Sequence, residues 1–341
     1  MSLLLLNEDE LRQTINLSEA VTVIEAAFVA SAQGQINNPG SFTLALPNVQ
    51  GVVKVKGTHL NDAPYYVIKI DNQFLNNPTI NLPVNSELIL VLDAATGFPA
   101  AILLDNGYLT HVRTGAVGAL ATEYLANKHS KIVTMVGCSS QAYAQLKALI
   151  TLRTVERVIV WCNPPHEADV FARRLVEDHD VDVALESSLA EAVTGGDIII
   201  AATDSREPWL KADWLKPGLH ITCLSSSTSR QLQPEVLRKA DVLVVDSLEH
   251  TDSRGEAYHA ITAGAITSGH IHGELSSLIQ NTMTGRTRPD QITLADLTGL
   301  DWQDTVIATL ALDKALFLGL GQRLEPGLEQ GRLKQRVSNL P

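Results

Sequence analysis

The sequence predicts an α/β protein in which a doubly wound parallel domain accompanies a mixed α+β domain, and three observations carry that prediction. From residue 131 onward, short apolar segments alternate with helix-compatible ones: KIVTMVG, QAYAQLKALITL, VERVIVW and EADVFARRLVEDH, then DIIIAAT, HITCLSS, ADVLVVD and ITLADLTG. Such alternation implies a parallel sheet covered on both faces. The first third instead mixes helix signals with successive strands joined by tight turns, a substantially antiparallel pattern. The length of 341 residues suffices for two cores, and 45% hydrophobic with 19% charged residues is ordinary for a globular chain.

Taken in order, NEDELRQTINLSEAVTVIEAAFVASAQG offers capping residues and helical apolar spacing, closed by Gly34. VVKVKG, YYVIKI and ELILVLD read as strands, DAATGFP as a tight turn, and AAILLDNGYLT as a continuation of the same sheet. RTGAVGALATEYLA, residues 113–126, is Ala-rich and helical. The strand–helix alternation follows. QDTVIATLALDKALFLGLG is a long apolar helix that returns to pack on the first domain.

A net charge of -12 and a pI near 5.3 argue against a general nucleic-acid-binding face. The four leucines of MSLLLLNEDEL are too few for a signal-peptide core or a membrane span, so the expectation is a soluble, cytoplasmic chain with no membrane partner. Cys138, Cys162 and Cys223 form no CxxC pair and the histidines no metal motif, which fits reduced thiols and no metal site.

KIVTMVGCSSQA, residues 131–142, has the form of a strand turning into a helix around a dinucleotide pyrophosphate. Gly137 supplies the tight turn and small Ala142 the close helix–strand packing. Ser139 holds the position where a second glycine normally lets backbone approach the phosphate. Gly137, Ser139, Ser140, Gln141 and Ala142 are therefore the candidate cradle, with Cys138 either inert packing or a reactive thiol. Alone, the loop equally describes an unliganded strand–helix turn. The next strand ends at Cys162-Asn163-Pro164-Pro165, without the acid that favours NAD or the arginine that favours NADP. Asn163 is the candidate ribose contact, the cofactor being NAD or NADP. Thr203 and Ser225, after two later strands, complete the candidate cofactor set.

YYVIKI around Lys69, ELILVLDAATGFPAAILLDNGYLTHVRTGAVGALATEYLA, VGCSSQA and DLTGLDWQDTVIATLA, in that order and spacing, resemble the ornithine cyclodeaminase/mu-crystallin family along nearly the whole chain. LLDNGYLTHVRT and NNPTINLP look most like its ectoine-utilisation and imino-acid reductase branch. The resemblance implies a Rossmann-type dinucleotide-binding domain over 116–307. It implies a substrate-binding and dimerisation domain from 1–115 with 308–341, completed by the C-terminal helix. It further implies a homodimer and a nicotinamide site facing a small amino- or imino-acid pocket. Family reactions include cyclodeamination, amino-acid dehydrogenation, imine reduction and dehydration, and mu-crystallin is a ligand binder, so the fold does not select the reaction.

Carried over position by position, Lys69 matches the active-site lysine, whose ammonium holds a carboxylate or donates a proton. Partial burial is expected to lower its pKa. On the residues alone it is an exposed strand lysine. Arg113 matches the carboxylate-gripping arginine, the alternative being a surface ion pair. Thr114 matches a neighbour of the pyrophosphate. Asp304 either caps the terminal helix or orients the lysine. Lys56 and Asn72, with Asn76 and Asn77, are pocket candidates that equally suit turns or solvent. His111 is a pocket acid/base or a hydrogen-bonded structural residue, and Glu256 and His259 line the cofactor side or secure a helix start. Two departures stand out. TCLSSS places Ser227 where cyclodeaminases carry an acid, and NPGSFT places Ser41 where the family has an arginine. Ornithine cyclodeamination is thereby disfavoured. The expected function is an NAD(P)H-dependent imine reductase or amino-acid dehydrogenase on a small carboxylate-bearing substrate. The alternatives are a lyase and a non-catalytic ligand-binding protein.

Overall fold

A computed structural model describes residues 3–225 and 229–325. The chain opens with β1 (Leu3–Asn7), α1 (Glu8–Thr14) and α2 (Leu17–Ala32). The helical stretch read from sequence is two helices, because Asn16 starts a second one: its side chain accepts from the amides of Ser18 and Glu19. Asn7 and Glu10 close a reciprocal capping box on α1. Strands β2 (Ile36–Asn37), β3 (Ser41–Leu46), β4 (Gly51–Leu60), β5 (Tyr65–Phe74), β6 (Asn85–Asp93) and β7 (Pro99–Leu104) follow. They pair antiparallel in the order β7-β6-β5-β4, with β2 and β3 along the far edge of β4 and β1 parallel to β7.

After Leu104 the chain does not continue as strand. Asn106 and Gly107 take positive φ angles of 50° and 86°, reversing it into α3 (Tyr108–Leu125), and the Asp105 carboxylate accepts from the Leu109 amide. The helix therefore begins five residues before the Ala-rich segment that announced it.

The second sheet alternates with helices: β8 (Ile132–Val136), α4 (Ser140–Leu152), β9 (Arg157–Trp161), α5 (His166–Asp178), β10 (Asp182–Leu185), α6 (Leu189–Gly195), β11 (Ile198–Ala201) and β12 (His220–Leu224). It continues through α7 (Pro234–Lys239), β13 (Val242–Val245), α8 (Gly255–Thr262), β14 (Gly273–Glu274), α9 (Leu275–Ile279) and β15 (Thr293–Leu297). Its strands are all parallel, in the order β10-β9-β8-β11-β12-β15-β13-β14. Val133 and Met135 pack on one face and Val136 on the other; Ile198 and Ile200 oppose Ile199 and Ala201 in the same way. That two-sided burial is why these strands read as unbroken apolar runs.

From β15 the chain enters α10 (Asp301–Leu318), which packs on β4, β5, α1, α2 and α3, and β16 (Gln322–Leu324) then closes on β1. One buried cluster joins Leu4 and Ile89 of the first sheet to Val242 and Ala295 of the second through α3 and α10. Residues 115/116 and 307/308 fall inside these two helices, so both helices belong to the two layers at once. Among the described residues, no single helix is long and apolar enough to cross a membrane.

Candidate active site

Strand alternation and register assemble the charged centre. Lys56 on β4 stands directly opposite Lys69 on β5, and Asp71, two residues on, shares the face of Lys69 and stands opposite Glu87 on β6. The first turn of α10 meets this face with Asp304, a carboxylate only 3% exposed. It lies 2.6 Å from Lys56 Nζ, 3.4 Å from Lys69 Nζ and 3.1 Å from Arg113 Nε. Lys69 is also 2.5 Å from Glu87 and 3.2 Å from Asp71. Its ammonium donates to Thr110 Oγ1, and that hydroxyl donates to Glu87 Oε2 at 2.5 Å.

Arg113 projects from α3. Its Nε donates to Asp304 and its Nη1 to Gln303 Oε1 at 3.0 Å, while Nη2 makes no hydrogen bond among the described residues. The guanidinium lies against Gly299, where φ is +82° and a Cβ would stand 2.8 Å from Nη1. A side chain there would displace the arginine.

These contacts fix the charge states. Burial works against the Lys69 ammonium, but Asp304, Glu87 and Asp71 outweigh it and hold the pKa above the ordinary lysine value. The lowering expected from sequence is therefore reversed, because burial arrives together with three carboxylates. Asp304 mirrors this. Burial pushes its carboxyl up, while Lys56, Lys69 and Arg113 hold it well below the usual carboxylate range. His111 is half-buried and its pKa is lowered, first by burial.

The other sequence candidates divide. Asn72 lies on the opposite face of β5 and donates to the Ser86 carbonyl at 3.3 Å, so the structure does not bring it to the charged centre. Asn76 and Asn77, in the β5–β6 connection, donate to the carbonyls of Val49 in the β3–β4 turn and of Pro83. Ser41 begins β3 opposite Lys56. Ser227 lies outside the described residues. Glu256 is buried and accepts from the amides of Gln231 and Leu232, securing that loop.

The phosphate-loop candidates gather at the carboxyl ends of the parallel strands, where the order reverses between β8 and β11. Gly137 has φ +110°, and a Cβ there would sit 2.3 Å from the Ala202 carbonyl oxygen. Ser139 caps α4, its Oγ accepting from the Ala142 amide at 3.2 Å. A serine in the second-glycine position thus serves the helix end itself. The first turn of α4 leaves the Ser140 and Gln141 amides to an outside acceptor, with the helix dipole behind them. Gln141 donates to the His111 carbonyl at 3.4 Å, tying this helix to α3, on which Thr114 sits half-buried beside Arg113. Asn163 is exposed just beyond β9. Thr203 donates to Gln231 Oε1 and Ser225 to Asp296 Oδ1, so their hydroxyl protons are committed within the protein. A glycine turn and an open helix N-terminus at the strand switch point fit a dinucleotide pyrophosphate.

Sequence reasoning missed Asp71, Glu87, Thr110 and Gln303. Only Asp71 left a trace, at the i+2 spacing from Lys69 within one strand. It also read three separate thiols, and the structure places two of them, Cys138 and Cys162, side by side with Cα atoms 5.8 Å apart. Adjacent parallel strands β8 and β9 bring these residues together, which a separation of 24 positions does not reveal.

The family model for the ornithine cyclodeaminase/mu-crystallin family matches residues 2–317. A protein of Sinorhizobium fredii described as an uncharacterized cyclodeaminase is 38% identical over 91% of this chain and 95% of its own. The structure of Thermococcus litoralis Delta(1)-pyrroline-2-carboxylate reductase with NADH and L-proline superposes with TM-score 0.88 at 32% identity, covering 94% of this chain and all of that one. An archaeal alanine dehydrogenase dimer with bound NAD gives TM-score 0.88 at 31% identity over 96% and 100% of the two chains.

Proposed function

The chain belongs to the ornithine cyclodeaminase/mu-crystallin family, and we propose that it is an NAD(P)H-dependent imine reductase or amino-acid dehydrogenase acting on a small carboxylate-bearing substrate. The observation that carries this reading is Lys69, a buried ammonium kept charged beside an arginine with one free donor edge. Arg113 Nη2 takes the substrate carboxylate, its other nitrogens already fixed by Asp304 and Gln303. The backbone from Gly137 to Ala142 holds the pyrophosphate, with Thr114 and Asn163 beside it. Bound nicotinamide supplies or accepts the hydride.

The protein's own part is the proton. Reduction of C=N needs a proton on nitrogen as hydride reaches carbon, and Lys69 donates it. Thr110 and Glu87 link Lys69 toward the more exposed Glu87 carboxylate and form the route of reprotonation. Oxidation of an amine runs the same proton transfer in reverse, with neutral Lys69 as the acceptor. The test supplies 2-oxo acids with ammonium, and cyclic imino acids, together with NADH or NADPH. The expected result is one reduced nicotinamide consumed per amino acid formed. Amino-acid breakdown with ammonia release and no net nicotinamide change would replace the reductase by a lyase.

The reading includes a homodimer. β3 is exposed along its whole length and is an edge strand, with Phe42 56% and Leu44 52% exposed; Ile80 and Leu82 add to the apolar surface of this domain. A long apolar edge of this kind calls for a partner, and a second copy provides it. Leu44→Asp is expected to shift the mass measured by light scattering from twice 36.9 kDa to 36.9 kDa. A parent already monomeric at assay concentrations would refute the dimer.

A further inference from the structure

Two cations of the charged cleft have neither a task in the reaction as derived nor a carboxylate partner among the described residues. Lys54 precedes Lys56 by two residues on β4, stands opposite Asp71, and so shares the face that carries Lys56 and Lys69. Arg254 comes from the other layer, at the start of α8. Both are half-buried. Lys56, Lys69 and Arg113 each reach a carboxylate, whereas among the described residues neither Lys54 nor Arg254 forms an ion pair. The two act on one another: burial first, then Lys56 and Arg254 among its neighbours, lower the Lys54 pKa against the pull of Asp301.

Arg254 is also held in place. Burial, aided by the Arg254 charge, pushes the His250 pKa down to about 4, so its ring is neutral and Nε2 accepts from Arg254 Nη2. Its Nδ1 then donates to Thr298 Oγ1 at 2.6 Å, which donates to Asp246 Oδ1 at 2.9 Å. Asp246 also accepts from the amides of Thr298 and Gly299, the turn against which Arg113 rests. The same relay thus seats both arginines, and Arg254 Nε is buried without an acceptor. Two cations from opposite layers, one of them rigidly held and incompletely paired, are suited to a carboxylate between them.

We propose that Lys54 and Arg254 bind a second carboxylate at the far end of the substrate, which makes the substrate a dicarboxylic α-imino acid with its α-carboxylate on Arg113. This rests on the imino-acid reading above and narrows it to one substrate class.

The test has two arms. In the first, the protein is titrated calorimetrically with succinate and with butyrate, which has the same chain length and one carboxylate, in the presence and absence of NAD. Succinate is expected to bind more tightly, and Lys54→Met or Arg254→Met to reduce that preference about 10- to 100-fold. Lys54→Arg, which keeps the charge, retains the preference. In the second, kcat/KM is compared between oxaloacetate or 2-oxoglutarate and pyruvate or 2-oxobutyrate, each with ammonium and reduced nicotinamide. The ratio between classes is expected to favour the dicarboxylates and to fall in both methionine variants. Equal binding of succinate and butyrate by the parent, or equal losses for both in the variants, overturns the proposal. Turnover without preference removes the second carboxylate and leaves the reductase standing. Selective succinate binding without nicotinamide consumption by any substrate sinks the reductase and upholds the anion site.

Discussion

Lys69→Ala lowers kcat for imine reduction by about 100- to 10,000-fold, the range expected when a positioned general acid is removed. Dinucleotide affinity, measured by calorimetry, remains close to that of the parent, because the phosphate loop lies on a different element. The alanine variant also leaves Glu87, Asp71 and Asp304 facing one another with less counter-charge, so lost stability has to be separated from lost chemistry. Lys69→Arg provides the separation. It keeps a positive charge among the three carboxylates, but its guanidinium is not deprotonated in proteins and so cannot serve as the proton donor. It is expected to restore much of the thermal stability and little of the turnover. If Lys69→Arg recovers full kcat, charge alone suffices and proton donation is the wrong role.

Asp304→Asn produces the largest loss of stability in the site, about 3–5 kcal/mol, as expected when one member of a buried ionic cluster is removed. Lys56, Lys69 and Arg113 converge on that carboxylate; without it Arg113 loses its ion pair, and Lys56 and Lys69 keep only Asp71, Asp301 and Glu87 around them. The pH dependence has a definite sign. The folded pKa of Asp304 lies below its unfolded value, so its stabilisation is complete above the unfolded pKa near 4 and disappears as pH falls toward the folded value. The gap in unfolding free energy between parent and variant should therefore be widest near neutrality and narrow below about pH 4. Denaturant titrations at neutral and acid pH measure it. A gap that widens toward acid would contradict the assigned charge state.

How much of this was legible in the sequence depended on whether the pattern was local. The parallel layer was legible because two-sided burial writes itself as short apolar runs, and Lys69 and Arg113 were marked by the segments around them. Asp304 was readable only as a choice between capping and orienting. In the structure Leu300 occupies the cap position and Asp304 turns instead toward the three cations. Glu87 and Thr110 left no signal, since the antiparallel register of β5 and β6 and the start of α3 place them beside Lys69. The direction of the Lys69 shift was misread for the same reason: burial is guessed from an apolar strand, but the carboxylates that arrive with it come from β6 and α10. The proximity of Cys138 to Cys162 and the break at Asn16 likewise arise from strand adjacency and a local cap, which apolar periodicity does not encode.

The central claim is that this cleft delivers hydride to carbon while Lys69 delivers a proton to nitrogen. The direct measurement is isotopic. The enzyme turns over a 2-oxo acid and ammonium with NADH or NADPH, whichever it accepts, deuterated at either the pro-R or the pro-S position of nicotinamide C4, and the amino acid formed is weighed by mass spectrometry. The account predicts one deuterium on the α-carbon from one of the two labelled cofactors and none from the other, with reduced nicotinamide consumed in equal amount. An unlabelled amino acid from both, or turnover that leaves the reduced nicotinamide unchanged, would contradict it.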